Sequence, residues 1–385
     1  MTSPADPAVS SGRGQVILAV LALVGAAAFL VGIIQHPTRT WGMYLVNLLF
    51  WSSLAITGPA IAAMMQMTEA RWSPTVKRMA VTTGGFLPLS FVLFLGLLFG
   101  LSYLYPWVDN PALVEKKKHW LNVPFLSLRL AIGVAALYLT AALFSRAVLA
   151  ENADAGAADP EHPRRNRLAA ILLMLFVVVL SLWGFDLVMP LDPVWYSGLF
   201  GGYFVVSALY TAFATLSILS VMTNARGTAS IPAAAIQDVA KLQFAMSVMW
   251  MYFFWSQYLV IWYGNVPVET RFFVSRFFVQ PWQTLAWVVF ALGWLLPFAY
   301  LLKRLTGRPP GRHTPLVVVA VMGLTGIFLE RVLVVFPSVS ATARMPLGLR
   351  DLLITAGFFA LFVLSRRWFM DRFKPVLNLP HTGGH

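Results

Sequence analysis

Ten separate stretches of this chain are apolar and long enough to cross about 30 Å of hydrocarbon as helices. They cover residues 15–34, 43–66, 79–101, 125–148, 168–188, 196–222, 239–263, 283–302, 315–336 and 350–368. Only 11% of the 385 residues are charged and 59% are hydrophobic, whereas a soluble domain carries about 25% charged residues. Lipid supplies no water to open backbone groups, so each stretch must close its own hydrogen bonds as a helix. The first run, Gln15 to Ile34, is too long for a signal-peptide core and has only Arg13 ahead of it, so it reads as a retained span. His36-Pro37, Ser73-Pro74, Asn110-Pro111, the polar 151–167 stretch, Asp192-Pro193 and Arg308–Gly311 punctuate the runs.

Ten spans put both termini on one side, and the basic residues say which. That side collects Arg13; Arg71, Lys77 and Arg78; Arg146, Arg164, Arg165 and Arg167; Arg226 and Lys241; Lys303, Arg304, Arg308 and Arg312; and Arg366, Arg367, Arg372 and Lys374. These are eighteen of the 28 Lys and Arg residues. The expectation is cytoplasmic termini. The net charge of +13 is then mainly topology and not a nucleic-acid footprint.

Several chemistries are excluded. With no cysteine there is no thiolate for a cluster, disulfide or nucleophile. His36, His119, His162, His313, His381 and His385 all fall outside the ten runs, which excludes a bis-histidine haem between spans. No phosphate loop, zinc spacing or nucleophile elbow occurs.

An internal echo is visible. Trp120-Leu121-Asn122-Val123-Pro124 with Arg129 precedes the fourth span, and Trp262-Tyr263-Gly264-Asn265-Val266-Pro267 with Arg271 follows the seventh. Trp41 before span two pairs in the same way with Trp195 before span six. Two related four-helix units, spans two to five and six to nine, are the reading.

Polar groups inside spans are costly and face partners or water. Asn47, Asp186, Gln257, Glu330, Arg331 and Asp351 all thread into the half away from the termini. Gln257 and Asn47 read first as interhelical glue. Glu330 and Arg331 are neighbours about 100° apart on a helix, so each is expected to find its partner elsewhere. Asp186 and Asp351 are expected near the hydrated interface, with Arg129 and Arg271 anchoring helix ends. A proton path is the alternative use of these groups. Lys241, Gln243, Tyr210 and Thr211 would form its cytoplasmic half, and Glu330, Arg331, Asp186, Gln257, Glu269 and Asp351 its outer half.

Three segments resemble the polysulfide-reductase-type (NrfD-like) membrane subunits. They are Trp41-Gly42 through Asn47-Leu48-Leu49-Phe50, the Asn122-Val123-Pro124-Phe125 turn with Arg129, and Gln257-Tyr258-Leu259 through Asn265, Pro267, Glu269 and Thr270. The likeness covers essentially the whole chain and is greatest to the shorter such subunit (ActF type) of alternative complex III, a bacterial quinol:cytochrome c oxidoreductase. Family members often carry Pro-Glu-Glu-Thr; this chain has Pro267-Val268-Glu269-Thr270, one carboxylate fewer.

The resemblance implies an all-α polytopic membrane protein with ten transmembrane helices in the inner membrane. Residues 41–188 and 194–336 would form two four-helix bundles, flanked by single helices at 15–34 and 350–368, with a cytoplasmic tail at 369–385. It implies an anchor and proton-translocating element with no catalytic residue or cofactor of its own. Haem c and iron–sulfur clusters would sit in partners: c-type cytochromes, an iron–sulfur protein and a second NrfD-like subunit, with a terminal oxidase beyond. A quinone or quinol site on this chain, at Asn47, Gln257 or Arg129, is one alternative. A two-repeat secondary transporter is another, although the span-breaking Pro59 and Pro297 do not occupy corresponding positions.

Overall fold

A computed structural model describes residues 7–70, 74–151, 161–305, 313–339, 345–373 and Leu377, with side chains from Gly12 onward. Every element among the described residues is helical. Ten helices are long and apolar enough to span a membrane. They are α1 (Gly12–Gln35), α2 (Pro37–Met67), α3 (Pro74–Leu104), α4 (Val123–Leu149), α5 (His162–Leu191), α6 (Phe200–Ala225), α7 (Ala233–Gly264), α8 (Trp282–Leu305), α9 (Thr314–Val339) and α10 (Leu349–Arg372). Each contains most of one apolar run and extends into the polar turns beside it.

Local chemistry sets several helix ends. Asn122 caps α4 by accepting the Phe125 N–H at 2.9 Å, with Pro124 in the first turn where no N–H is needed. The echoed Asn265 does the opposite job: it adopts φ +46° and stops α7 as a left-handed C-terminal residue. Pro267 then opens a connecting helix, Pro267–Phe277, that the sequence reading did not contain. Two π-helical turns, Gly184–Val188 in α5 and Ala291–Leu295 in α8, interrupt otherwise regular helices.

The most enclosed helices are α2, with 89% of its most apolar window buried, and α6, with 78%. Contacts link α2 to α3, α5, α6, α9 and α10, and α6 to α5, α7 and α9; α4 lies on α5, and α8 on α9. Small residues permit this. A Cβ on Gly58 of α2 would lie 2.3 Å from the Ala80 carbonyl oxygen of α3, so the backbones there touch. By contrast α1 packs mainly on α10, through Gly25 and Gly357.

Long-range bonds show that the helices alternate in direction. The starts of α2 and α10 meet through Arg39 and Asp351. The end of α2, start of α3, end of α4 and start of α5 meet through Gln66, Lys77, Glu151 and Asn166. The end where α1 begins and α10 finishes is called the near end below, and the opposite one the far end.

Candidate functional site

Glu330 and Arg331 lie in α9 about 24 Å from its start at Thr314, and both are buried, at 2% and 1% exposure. Contrary to the expectation from their angular separation, they pair with each other, Arg331 Nη1 donating to Glu330 Oε2 at 2.8 Å. The backbone directions differ, but two long side chains folded into one enclosed sector still meet. Arg331 also donates to Ser207 Oγ of α6 through Nη2, and its guanidinium lies 4.0 Å from the Phe204 ring. The cation thus has three supports, and the carboxylate has the Tyr203 hydroxyl of α6 as a second hydrogen-bonding neighbour. Tyr203 of α6 lies in the electrostatic field of this pair.

Below the pair, α6 presents a run of buried polar side chains: Ser207, Tyr210, Thr211, Ser217 and Ser220. They cover about 20 Å of helix rise. Thr211 is self-satisfied, donating to the Ala208 carbonyl at 2.8 Å. Ser217 donates to Gln243 Oε1 of α7 at 2.8 Å. Tyr210 Oη, Ser220 Oγ and Gln243 Nε2 are buried with no hydrogen-bond partner among the described residues. Such atoms cost about 1–3 kcal/mol each unless water reaches them, and buried water is the ordinary remedy. The Tyr210 hydroxyl faces Gly323 of α9, where a Cβ would sit 2.5 Å from it.

The structure therefore pairs Glu330 with Arg331 at Ser207 and spaces Tyr210, Thr211 and Gln243 along about 15 Å of α6 toward the near end. It commits the other candidates elsewhere. Asp186, in the π turn of α5, takes Arg129 Nε and Nη2 at 2.8 Å each and Trp120 Nε1 at 2.9 Å. The Arg129 guanidinium lies 3.9 Å from the Trp120 ring. Asp351 accepts Arg39 Nη2 at 2.5 Å and the Gly348 N–H at 3.0 Å, closing the first turn of α10. Both aspartates are buried, not hydrated as expected, because each has a dedicated arginine. Arg129 accordingly serves a carboxylate and not a headgroup. Asn47 donates to the Met43 carbonyl and to Thr355 of α10, and Gln257 joins Ser197 to the Phe253 carbonyl. Asn47 thus has the bonding of interhelical glue, and Gln257 ties α7 to the turn before α6. Glu269 sits half-buried in the first turn of the connecting helix, and Lys241 is exposed and paired with Asp238 at 2.9 Å.

Sequence reasoning missed a second far-end group. Asp192, in the turn between α5 and α6, accepts Arg271 Nη2 at 3.2 Å, so Arg271 too is an ion-pair partner. Arg276 of the connecting helix is buried and donates to the Val334 carbonyl and Ser338 Oγ of α9 at 2.8 Å each. Burial pushes the Arg276 guanidinium down to about 9, opposed by the Asp192 charge, so it stays cationic at neutral pH. Lys117 is lowered by its own burial and donates to the Pro193 carbonyl at 2.9 Å. No periodicity announces these groups: their partners are assembled by turns.

No protein-family model matches the chain, and no curated protein matches it.

Proposed function

We propose that this chain is an integral membrane subunit of a bacterial quinol:cytochrome c oxidoreductase of the alternative complex III type, anchoring the redox subunits and conducting protons. The three quoted motifs support the kinship. The packing of α2 with α3 and α5 and of α6 with α7 and α9, with α1 and α10 joined at the side, supports two four-helix bundles flanked by single helices. The basic residues support a cytoplasmic near end.

The observation that carries the proton role is Glu330: a carboxylate enclosed among helices, with Arg331 on one oxygen and the Tyr203 hydroxyl as its other hydrogen-bonding neighbour. A charge in this position is tolerated only with a partner, and a titratable one marks a path for protons. Arg331, fixed by Ser207 and Phe204, makes the ionised carboxylate affordable in the interior. Tyr210, Gln243 and Ser220 hold buried polar atoms in need of water between Glu330 and the near end. A proton arriving along that water binds Glu330 and leaves toward the far end. Asn47 and Gln257 are engaged in bonds between or within helices, and Arg129 in its pair with Asp186, which supports an anchor and conduit over a quinol-oxidising site.

Capture of the chain by an affinity tag in mild detergent tests the assignment. Haem c and iron–sulfur spectra with quinol:cytochrome c activity are expected in the eluate, and none of them with the chain alone. Recovery of the chain without redox subunits from membranes that contain it in full amount contradicts the reading.

A further inference from the structure

Glu330 needs an outlet, and the carboxylates expected to supply one, Asp186 and Asp351, are locked to Arg129 and Arg39 and to further donors. Asp192 is different. It is buried too, at 8% exposure, but it lies in the α5–α6 turn, and its only ion pair among the described residues, at 3.2 Å, is to the largely exposed Arg271. Arg276 ties this turn to α9. The rings of Trp195, three residues after Asp192, and Phe272 stack at 3.7 Å and 9°. The Arg276 guanidinium lies 3.4 Å from the same Phe272 ring. On its other side Arg276 holds the Val334 carbonyl, one helical turn beyond Glu330 and so about 6 Å along α9. Its Nε is buried with no acceptor among the described residues, which is a place for a bridging water.

Resting on the proton reading above, we infer that Asp192 receives the proton leaving Glu330 and passes it to solvent at the far end, with Arg276 as the positioning residue between them. The transfer involves no electrons. The Glu330 carboxyl gives its proton to a water chain beside Arg276, the water chain protonates the Asp192 carboxylate, and Asp192 releases that proton outward. Arg276 keeps all its protons. It supplies fixed donors and a positive charge that orient the water, while Arg271 and Lys117 complete the charged groups facing Asp192.

The test compares Asp192→Asn, Asp192→Glu and the neutral pair variant Glu330→Gln/Arg331→Gln in the whole complex, reconstituted in proteoliposomes. Quinol turnover and proton-to-electron ratio are both measured. Asp192→Asn should keep turnover within about twofold and lose most of the translocated protons, and Asp192→Glu should restore them, which a merely structural aspartate would not require. If Asp192→Asn fails to assemble, Asp192→Asn/Arg271→Gln removes the exposed pair as a neutral unit and gives the same readout. An unchanged ratio in either Asp192 variant, with the Glu330/Arg331 variant uncoupled, overturns the outlet and leaves the proposed function standing. An unchanged ratio in all of them overturns both.

Discussion

Separating Glu330 from Arg331 should damage the protein in two different ways, depending on which partner is removed. The paired atoms are 2.8 Å apart, so the charge centres lie about 4 Å apart and attract by about 4 kcal/mol at an effective dielectric of about 20. Removing one member of a buried pair costs about 3–5 kcal/mol, because the survivor is left charged and uncompensated. In Glu330→Gln the survivor is a guanidinium, which cannot shed its proton. It keeps Ser207 and the Phe204 face, the latter worth about 1–2 kcal/mol. A loss of about 2–4 kcal/mol that stays flat with pH is expected.

In Arg331→Met the survivor is a carboxyl, which can bind a proton and become neutral. The folded variant then holds a proton that the unfolded chain, with an ordinary carboxylate near about 4.3, gives up at neutral pH. Stability is therefore expected to rise as pH falls. The double variant Glu330→Gln/Arg331→Met should return to within about 1 kcal/mol of the parent. Reversible SDS unfolding in mixed micelles at several pH values reads all three. Equal pH slopes for the two single variants, or a double variant as unstable as their sum, would refute the argument.

Gly323→Ala places a Cβ 2.5 Å from the Tyr210 hydroxyl, so it should reduce proton flux without changing any titratable group, while quinol turnover persists. Flux equal to the parent's in assembled protein would remove Tyr210 from the path. Asn47→Leu and Gln257→Leu should each cost about 0.6–1.7 kcal/mol as lost interhelical bonds and lower assembly before they alter the quinol KM. A selectively raised KM in fully assembled protein speaks for a quinone site instead. Reporter fusions after His385 and within 151–165 should read cytoplasmic and those within 106–119 external; an external C-terminus contradicts the ten-span threading.

The sequence displayed the ten helices because lipid-compatible runs need no knowledge of their neighbours. It displayed their limits less well: α5 begins at His162, six residues before its apolar run, because polar residues continue a helix once it is started. Charge partnerships were mostly illegible. Arg39 and Asp351 are 312 residues apart, and nothing in either helix marks the other. Glu330 and Arg331 misled in the opposite sense, since an angular argument from the backbone ignores the reach of the side chains. Asp192 looked like turn punctuation beside Pro193, and Arg276 fell between the seventh and eighth apolar runs with nothing to mark it. Only the fold of the connecting helix back onto α9 gives them a common purpose.

The proton-to-electron ratio of the Glu330→Gln/Arg331→Gln complex in proteoliposomes tests the central claim most directly. The amide at 330 keeps the carboxyl's shape, and the pair as a whole leaves no uncompensated charge, so assembly and quinol oxidation should continue. Coupled proton translocation through this subunit is expected to disappear while electrons still reach the acceptor. A fully assembled variant translocating protons at the parent's ratio would contradict it.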